Sequence, residues 1–294
     1  MKFNSNTLSK VYFENTAVQK VYFDNQLLWS LSTGSLFTSW DVSTYSFIAS
    51  SSNAQTMLPS GSLQSTGIYV KADETKLWLS NDSFDYLHQY TMSTPGDLST
   101  LAWDWSFDYS TSYNMQEIFW KPDGTKFFMC NYSTGLLEFA CSTPWDNRTA
   151  SYTTAEAIFG QCLGVFFHPD GDRMWACGNL IDEVREYTLS TAWDLASTVT
   201  QVGSYFYEAA TTPHMVHFNA DGTQFYYRHT GNEIRQYNLS TPYDLSTTGS
   251  LSPYTSASIA EVDSVNGMCL LDDGTFYTMH RASDYVAKFS MGTL

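Results

Sequence analysis

The sequence predicts an all-β protein: a five-bladed β-propeller closed by an N-terminal outer strand and preceded by a small N-terminal β-meander. Three observations carry this. A turn phrase recurs five times, as VKADETKLWLS (70–80), WKPDGTKFFMC (120–130), FHPDGDRMWAC (167–177), FNADGTQFYYR (218–228) and LLDDGTFYTMH (270–280). A second phrase follows it, as YTMSTPGDLST (90–100), FACSTPWDN (139–147), YTLSTAWDLAST (187–198) and YNLSTPYDLST (237–247), with a fainter copy, LFTSWDVST, at 36–44. No long segment carries a helical apolar period, and 16% of the 294 residues are aromatic, which suits strands.

Each period supplies four strands. One leads into the Asp-Gly turn (EIFW, GVFF, MVHF) and a second leaves it (KFFMC, RMWAC, QFYYR). A third ends at the aromatic that opens the second phrase (LLEF, EVREY, EIRQY), and a fourth follows that phrase. Asp-Gly between apolar runs is a strong hairpin signal, because glycine accepts positive φ at little cost. The turn aspartates Asp73, Asp123, Asp170, Asp221 and Asp273 lie 47 to 52 residues apart, the length of a propeller blade. In the first period Asp73-Glu74 replaces Asp-Gly, and a looser turn is expected there.

In the second phrase Pro presets φ for a turn, and Asp and Ser cap it. The aromatic beside it (Trp40, Trp145, Trp193, Tyr243) is expected to pack between neighbouring blades. The phrase aspartate follows the turn aspartate by 23 or 24 residues in four periods, so a fifth would fall just beyond Leu294. The orphan copy at 36–44, followed by STYSFIAS, has the missing pieces. The early segment is therefore expected to form the outer strand of the fifth blade, which removes two open sheet edges.

Residues 8–30 hold a ten-residue repeat, KVYFEN (10–15) and KVYFDN (20–25). Its V-Y-F runs and Glu-Asn and Asp-Asn turns predict a three-stranded meander, which is marginal alone and needs a surface to dock on. The expected division is a meander at 1–32 and a propeller at 33–294, with LSTGS (31–35) as a hinge.

The KVYxDNxLLW opening is similar to short N-terminal modules of bacteriophage virion and tail-appendage proteins. The PDGTKFF and LSTPYDLST repeats resemble propeller repeats of phage structural proteins. The resemblance implies a non-enzymatic component of a virion assembled in the host cytoplasm: a capsid decoration, head fibre or tail fibre. It implies attachment to capsid or tail proteins through residues 1–32, with Val11, Tyr12, Phe13, Val21, Tyr22, Phe23 and Trp29 as contact residues. It supplies no catalytic residues.

The formal charge of −16 argues against binding nucleic acid through phosphates. No stretch is long and apolar enough to span a membrane, and MKFNSNTLSK lacks the apolar core of a signal peptide. Five cysteines (Cys130, Cys141, Cys162, Cys177, Cys269) are an odd number without a close pairing motif and are expected to be buried thiols.

The search for chemistry yields no expected catalytic residue, metal or cofactor. Cys130, Cys177 and His280 each stand seven residues after a turn aspartate, with Ser80 and Arg228 completing the set. Packed sheets lie roughly 10 Å apart, whereas zinc needs ligands at about 2.0–2.3 Å, so a metal ring is not expected. His214 and His217 sit three apart on a strand and face opposite sides. Outside the repeat frame, WDWSFDYSTSY (103–113) combines aromatics with acids, as sugar sites do. Trp103, Trp105, Tyr109 and Tyr113 are the candidate glycan-binding rim, with host surface glycan as the ligand. The leading expectation is a display module for host or glycan binding. The alternatives are a free lectin-like propeller and, third, a polysaccharide hydrolase, which would need clustered carboxylates at one mouth of the channel.

Overall fold

The computed structural model describes residues 12–13, 16–17, 20–23, 26–30, 40–51, 65–81, 85–108, 114–158, 161–178, 181–206, 213–229, 232–248, 255–259, 265–280 and 285–293. It forms two compact units, Met1–Thr38 and Ser39–Leu294. The first has β1 (Tyr12–Phe13) paired with β2 (Thr16–Ala17), and β3 (Lys20–Phe23) paired with β4 (Gln26–Ser30). Each copy of the repeat thus opens its own hairpin, where the sequence suggested one three-stranded meander.

The second unit is five four-stranded antiparallel sheets. Blade 1 is β6 (Ser65–Val70), β7 (Lys76–Asn81), β8 (Tyr86–Met92) and β9 (Leu101–Asp108). Blade 2 is β10 (Met115–Trp120), β11 (Lys126–Asn131), β12 (Gly135–Cys141) and β13 (Ala150–Glu156). Blade 3 is β14 (Cys162–Phe167), β15 (Arg173–Gly178), β16 (Ile181–Leu189) and β17 (Val199–Phe206). Blade 4 is β18 (His214–Phe218), β19 (Gln224–Arg228), β20 (Glu233–Asn238) and β21 (Thr255–Ser258). Blade 5 is β22 (Val265–Leu270), β23 (Thr275–His280) and β24 (Tyr285–Thr293), completed by β5 (Trp40–Ser50) from the start of the unit. The expected closure is therefore present: Trp40 pairs with Thr293 and Ser50 with Ala287. The innermost strands contact one another in ring order, and β22 returns to β6. The five-bladed propeller predicted by the repeat count is the observed architecture.

The hydrophobic core is divided into five, one at each blade junction. Trp78, Trp120, Phe127 and Phe139 pack between blades 1 and 2, and Phe128, Phe167, Met174 and Trp193 between blades 2 and 3. The turn phrase fixes one end of each junction. Asp73, Asp123 and Asp221 each accept hydrogen bonds from the backbone N–H and hydroxyl of the threonine two residues on. In the second phrase Asp97, Asp146 and Asp244 cap single 3-10 turns, as an Asp in that place should.

The phrase aromatic does what its recurrence suggests. Trp145 of blade 2 packs on Tyr69 and Trp78 of blade 1, and Trp193 of blade 3 on Phe119 and Phe128 of blade 2. Both hold positive φ, and so does Tyr243. Each ring lies on a turn glycine: a Cβ on Gly124, Gly171 or Gly222 would stand 2.4, 2.1 or 2.2 Å from it. These glycines answer two demands at once, positive φ and the absence of a side chain.

Blade 1 reverses the pair. Its turn carries Glu74 and its phrase carries Gly96, where the other blades have glycine and an aromatic. The expected loose turn is not found. Glu74 takes φ 55° and donates its N–H to Lys71 O at 2.7 Å, as Gly124 does to Lys121 O at 2.8 Å. The reason is that the Glu74 carboxylate is held by Lys288 Nζ at 2.7 Å and by the Tyr277 hydroxyl, both from blade 5. An ion pair fills the space an aromatic ring fills elsewhere.

A polar latch joins blade 1 to 2, blade 2 to 3 and blade 4 to 5. Gln89, Glu138 and Gln236 accept from the backbone N–H groups of Asn147, Leu195 and Val42 at 3.2, 2.8 and 2.8 Å. Lys126 and Gln224 donate to the carbonyls of Trp193 and Trp40.

Candidate functional site

Ligand sites of propellers are sought first at the axis, where the five inner strands converge. Three residues before the end of each inner strand stand Gly67, Glu117, Gly164, Met215 and Gly267. The glycines allow backbone to touch backbone. A Cβ on Gly67 would stand 2.8 Å from Glu117 Cα, one on Gly164 2.4 Å from Met215 Cα, and one on Gly267 2.9 Å from Gly67 Cα. Met215 is fully buried with φ 48°, an uncommon conformation for its type.

Two residues further along lie Tyr69, Phe119, Phe166, His217 and Cys269. Neighbouring rings touch edge to face: Tyr69 with Phe119 at 5.9 Å, Phe119 with Phe166 at 5.5 Å, Phe166 with His217 at 5.7 Å. Cys269 completes the collar, its sulfur 3.3 Å from the Val70 N–H. Burial holds His217 neutral by depressing its pKa to about 4, and pushes the Cys269 thiol up to about 12. At this level each of these three ring contacts joins one blade to the next.

Glu117 is the charged-type residue of the axial layer. It is 2% exposed, and its Oε1 accepts from its neighbour's backbone N–H, Ile118 N, at 3.2 Å. Oε2 is buried with no hydrogen-bond partner. Burial raises its pKa well above the usual carboxylate range, against hydrogen bonds from Ile118 and Ile68 that act to lower it. Burial therefore favours the protonated form of the Glu117 carboxyl. Among the described residues no group of three His, Cys, Asp or Glu could hold a metal ion.

The structure separates the tryptophans of the candidate sugar rim. Trp103 is opposite Tyr90 and packs on the core between blades 5 and 1. A β-bulge follows, with Trp105 opposite Gln89. Because Gln89 reaches toward blade 2, Trp105 faces the other side of the blade, where it is 45% exposed. Tyr109 and Tyr113 lie outside the described residues. So does Val11 of the expected attachment set. Tyr12, Phe13, Val21, Tyr22, Phe23 and Trp29 are on the strands of the two N-terminal hairpins.

Two sequence expectations are corrected. Cys130 and Cys162 are paired as a disulfide across blades 2 and 3, while Cys141, Cys177 and Cys269 are the buried thiols foreseen for all five. The spacing of 32 residues hides their proximity, which the ring packing creates. His280 also leaves the column of Cys130 and Cys177. The blade 5 turn is one residue shorter, so Met279 pairs with Gly267 as Cys177 pairs with Gly164, and His280 moves to the place of Asn81 and Asn131.

No protein-family model matches the chain, and no curated protein matches it. Solved propeller structures do. A 6-phosphogluconolactonase-like protein of Bacteroides uniformis aligns at 15% identity and TM-score 0.48 over 76% of this chain, which spans 65% of that protein's length. The propeller domain of Cps50 (Swd1) from Myceliophteria thermophila aligns at 10% identity and TM-score 0.46, covering 78% of this chain and 70% of its own. A chain of a nidogen/laminin complex aligns at 9% identity and TM-score 0.48, covering 74% and 72%. These likenesses concern the fold.

Proposed function

We propose that this chain is a non-enzymatic structural protein of a phage particle, a capsid decoration, head fibre or tail fibre. Its N-terminal module attaches to capsid or tail proteins, and its propeller is displayed for host or glycan binding. The observation that carries the display reading is the pair of exposed aromatic rings, Trp105 and Tyr152, on the outer strands of blades 1 and 2. Exposed aromatic surface of this kind suits a face that meets a partner. The attachment reading is supported by the division of the chain into two compact units and by the resemblance of KVYFDNQLLW to phage N-terminal modules.

The test is cross-linking mass spectrometry on native particles, reading the partners of Lys10 and Lys20. Links to a capsid or tail protein are expected. A protein found free in solution, linked within itself alone, would replace this reading with that of a free lectin-like propeller.

A further inference from the structure

Among the described residues five large apolar side chains stand out in solvent, Phe47, Ile48, Trp105, Tyr152 and Val202, all on outer strands. Two of them, Trp105 and Tyr152, flank the junction between blades 1 and 2. Trp105 and Phe107 are two apart on β9 beyond its bulge, on the side facing blade 2. Phe107 packs edge-on to Phe139 of blade 2 at 5.8 Å. Tyr152 is paired with Phe139 and also packs edge-on to it, at 5.9 Å, so it flanks the same junction from the blade 2 side. Trp105 is 45% and Tyr152 60% exposed.

The repeat does not call for an aromatic at the position of Trp105. The residue opposite the latch position is Trp105 in blade 1, but Thr154, Gly203, Thr255 and Ala49 in the other four. Phe107, Phe127 and Phe139 already seal the junction beneath.

Polar groups border these rings. Asp104, in the bulge, accepts from Thr91 Oγ1 at 2.6 Å and Gln89 Nε2 at 3.2 Å, with Lys76 Nζ at 3.4 Å. Arg148 grips Asp146 in a two-point contact at 2.8 and 2.6 Å and feels the charge of Asp104. Two acids and two bases balance locally, within a chain of net charge −16.

We propose that the junction between the outer strands of blades 1 and 2 binds a neutral oligosaccharide, stacked on Trp105 and Tyr152. Aromatic faces take the apolar faces of sugar rings, and fixed carboxylate and guanidinium groups take hydroxyls. The balanced charge offers an acidic glycan no counter-ion, and the protein's overall field repels it. This rests on the display reading above and names the ligand class of that surface.

The test is a glycan array bearing neutral and acidic oligosaccharides, probed with the full chain. Binding to neutral members is expected. W105A and Y152A should each weaken it at least tenfold, Trp105→Phe should retain most of it, and V202A should leave it unchanged. All three positions are exposed, and thermal denaturation checks that each variant folds. Binding to acidic members alone, no binding, or binding indifferent to W105A and Y152A would overturn the proposal. So would a loss of self-association in W105A and Y152A without any glycan effect, which would make the junction a protein interface. Cross-links from Lys10 and Lys20 to the particle are independent of all these outcomes, so the attachment reading stands or falls separately.

Discussion

Glu117 shows how one side chain sets a pH dependence. In the unfolded chain its carboxyl titrates near 4.5, while burial in the axis raises the folded value well above that. Between the two, the native state holds a proton that the unfolded state has lost, so this residue's contribution to stability falls as pH rises. Glu117→Gln should leave thermal stability unchanged near pH 4 and raise it at pH 7, by up to about 1.4 kcal/mol per pH unit gained. Melting temperatures at the two pH values check this; an equal effect at both would place an ionised carboxylate in the axis. Gly171 makes a second case. Gly171→Ala puts a methyl 2.1 Å from the Trp193 ring at φ 76° and should destabilise by more than about 1 kcal/mol. Blade 1 tests the same pairing in reverse: Gly96→Trp alone should destabilise, and adding Glu74→Gly should recover part of the loss. Strict additivity of the two would refute the reciprocity.

Among the elements, the latches make the blades interdependent. Glu138 is fully buried and serves both Leu195 N and Lys126 Nζ. Glu138→Ala leaves a buried N–H and a cation unpaired and should cost about 2–4 kcal/mol in denaturant unfolding, with Glu138→Gln recovering most of it. A cost below about 0.5 kcal/mol would mean that water replaces the latch. The strands themselves were legible because Asp-Gly turns and Ser-Thr-Pro phrases punctuate every period. Their irregularities were not. The bulge that turns Trp105 away from Trp103 depends on cross-strand pairing, which single-strand alternation does not reveal. The missing residue after Gly274 moved His280 out of its column, and counting from Asp273 could not show it. Glu117 could have been found by stacking the inner strands on their last residues, which brings Gly67, Gly164 and Gly267 beside it. Tyr152 could not, because its place beside Phe139 depends on cross-strand pairing that the strand's own sequence does not show.

At the scale of the whole molecule, the blade count and the closure by β5 followed from matching an orphan phrase to an incomplete blade. The buried histidines then shape the response of the whole ring to acid. Burial depresses the pKa of His88 and His217 to about 4 and of His214 to about 3. Below pH 6.5 the unfolded chain takes up protons that the native ring refuses, so stability falls as pH drops toward 4, by up to about 1.4 kcal/mol per unit for each histidine. Opposed by Glu117, this places the stability maximum near pH 6.5, which urea midpoints across pH 4–9 should show; a maximum above pH 8 would contradict it. The closing strand also has a mechanical consequence. A pull transmitted along the chain into β5 reaches that strand first at Trp40. There the load meets not the pairing with β24 alone but the amides of Gln224 and Gln236 on Trp40 O, at 2.9 and 2.6 Å. Blade 4 thus shares a pull that would otherwise fall on the last blade alone.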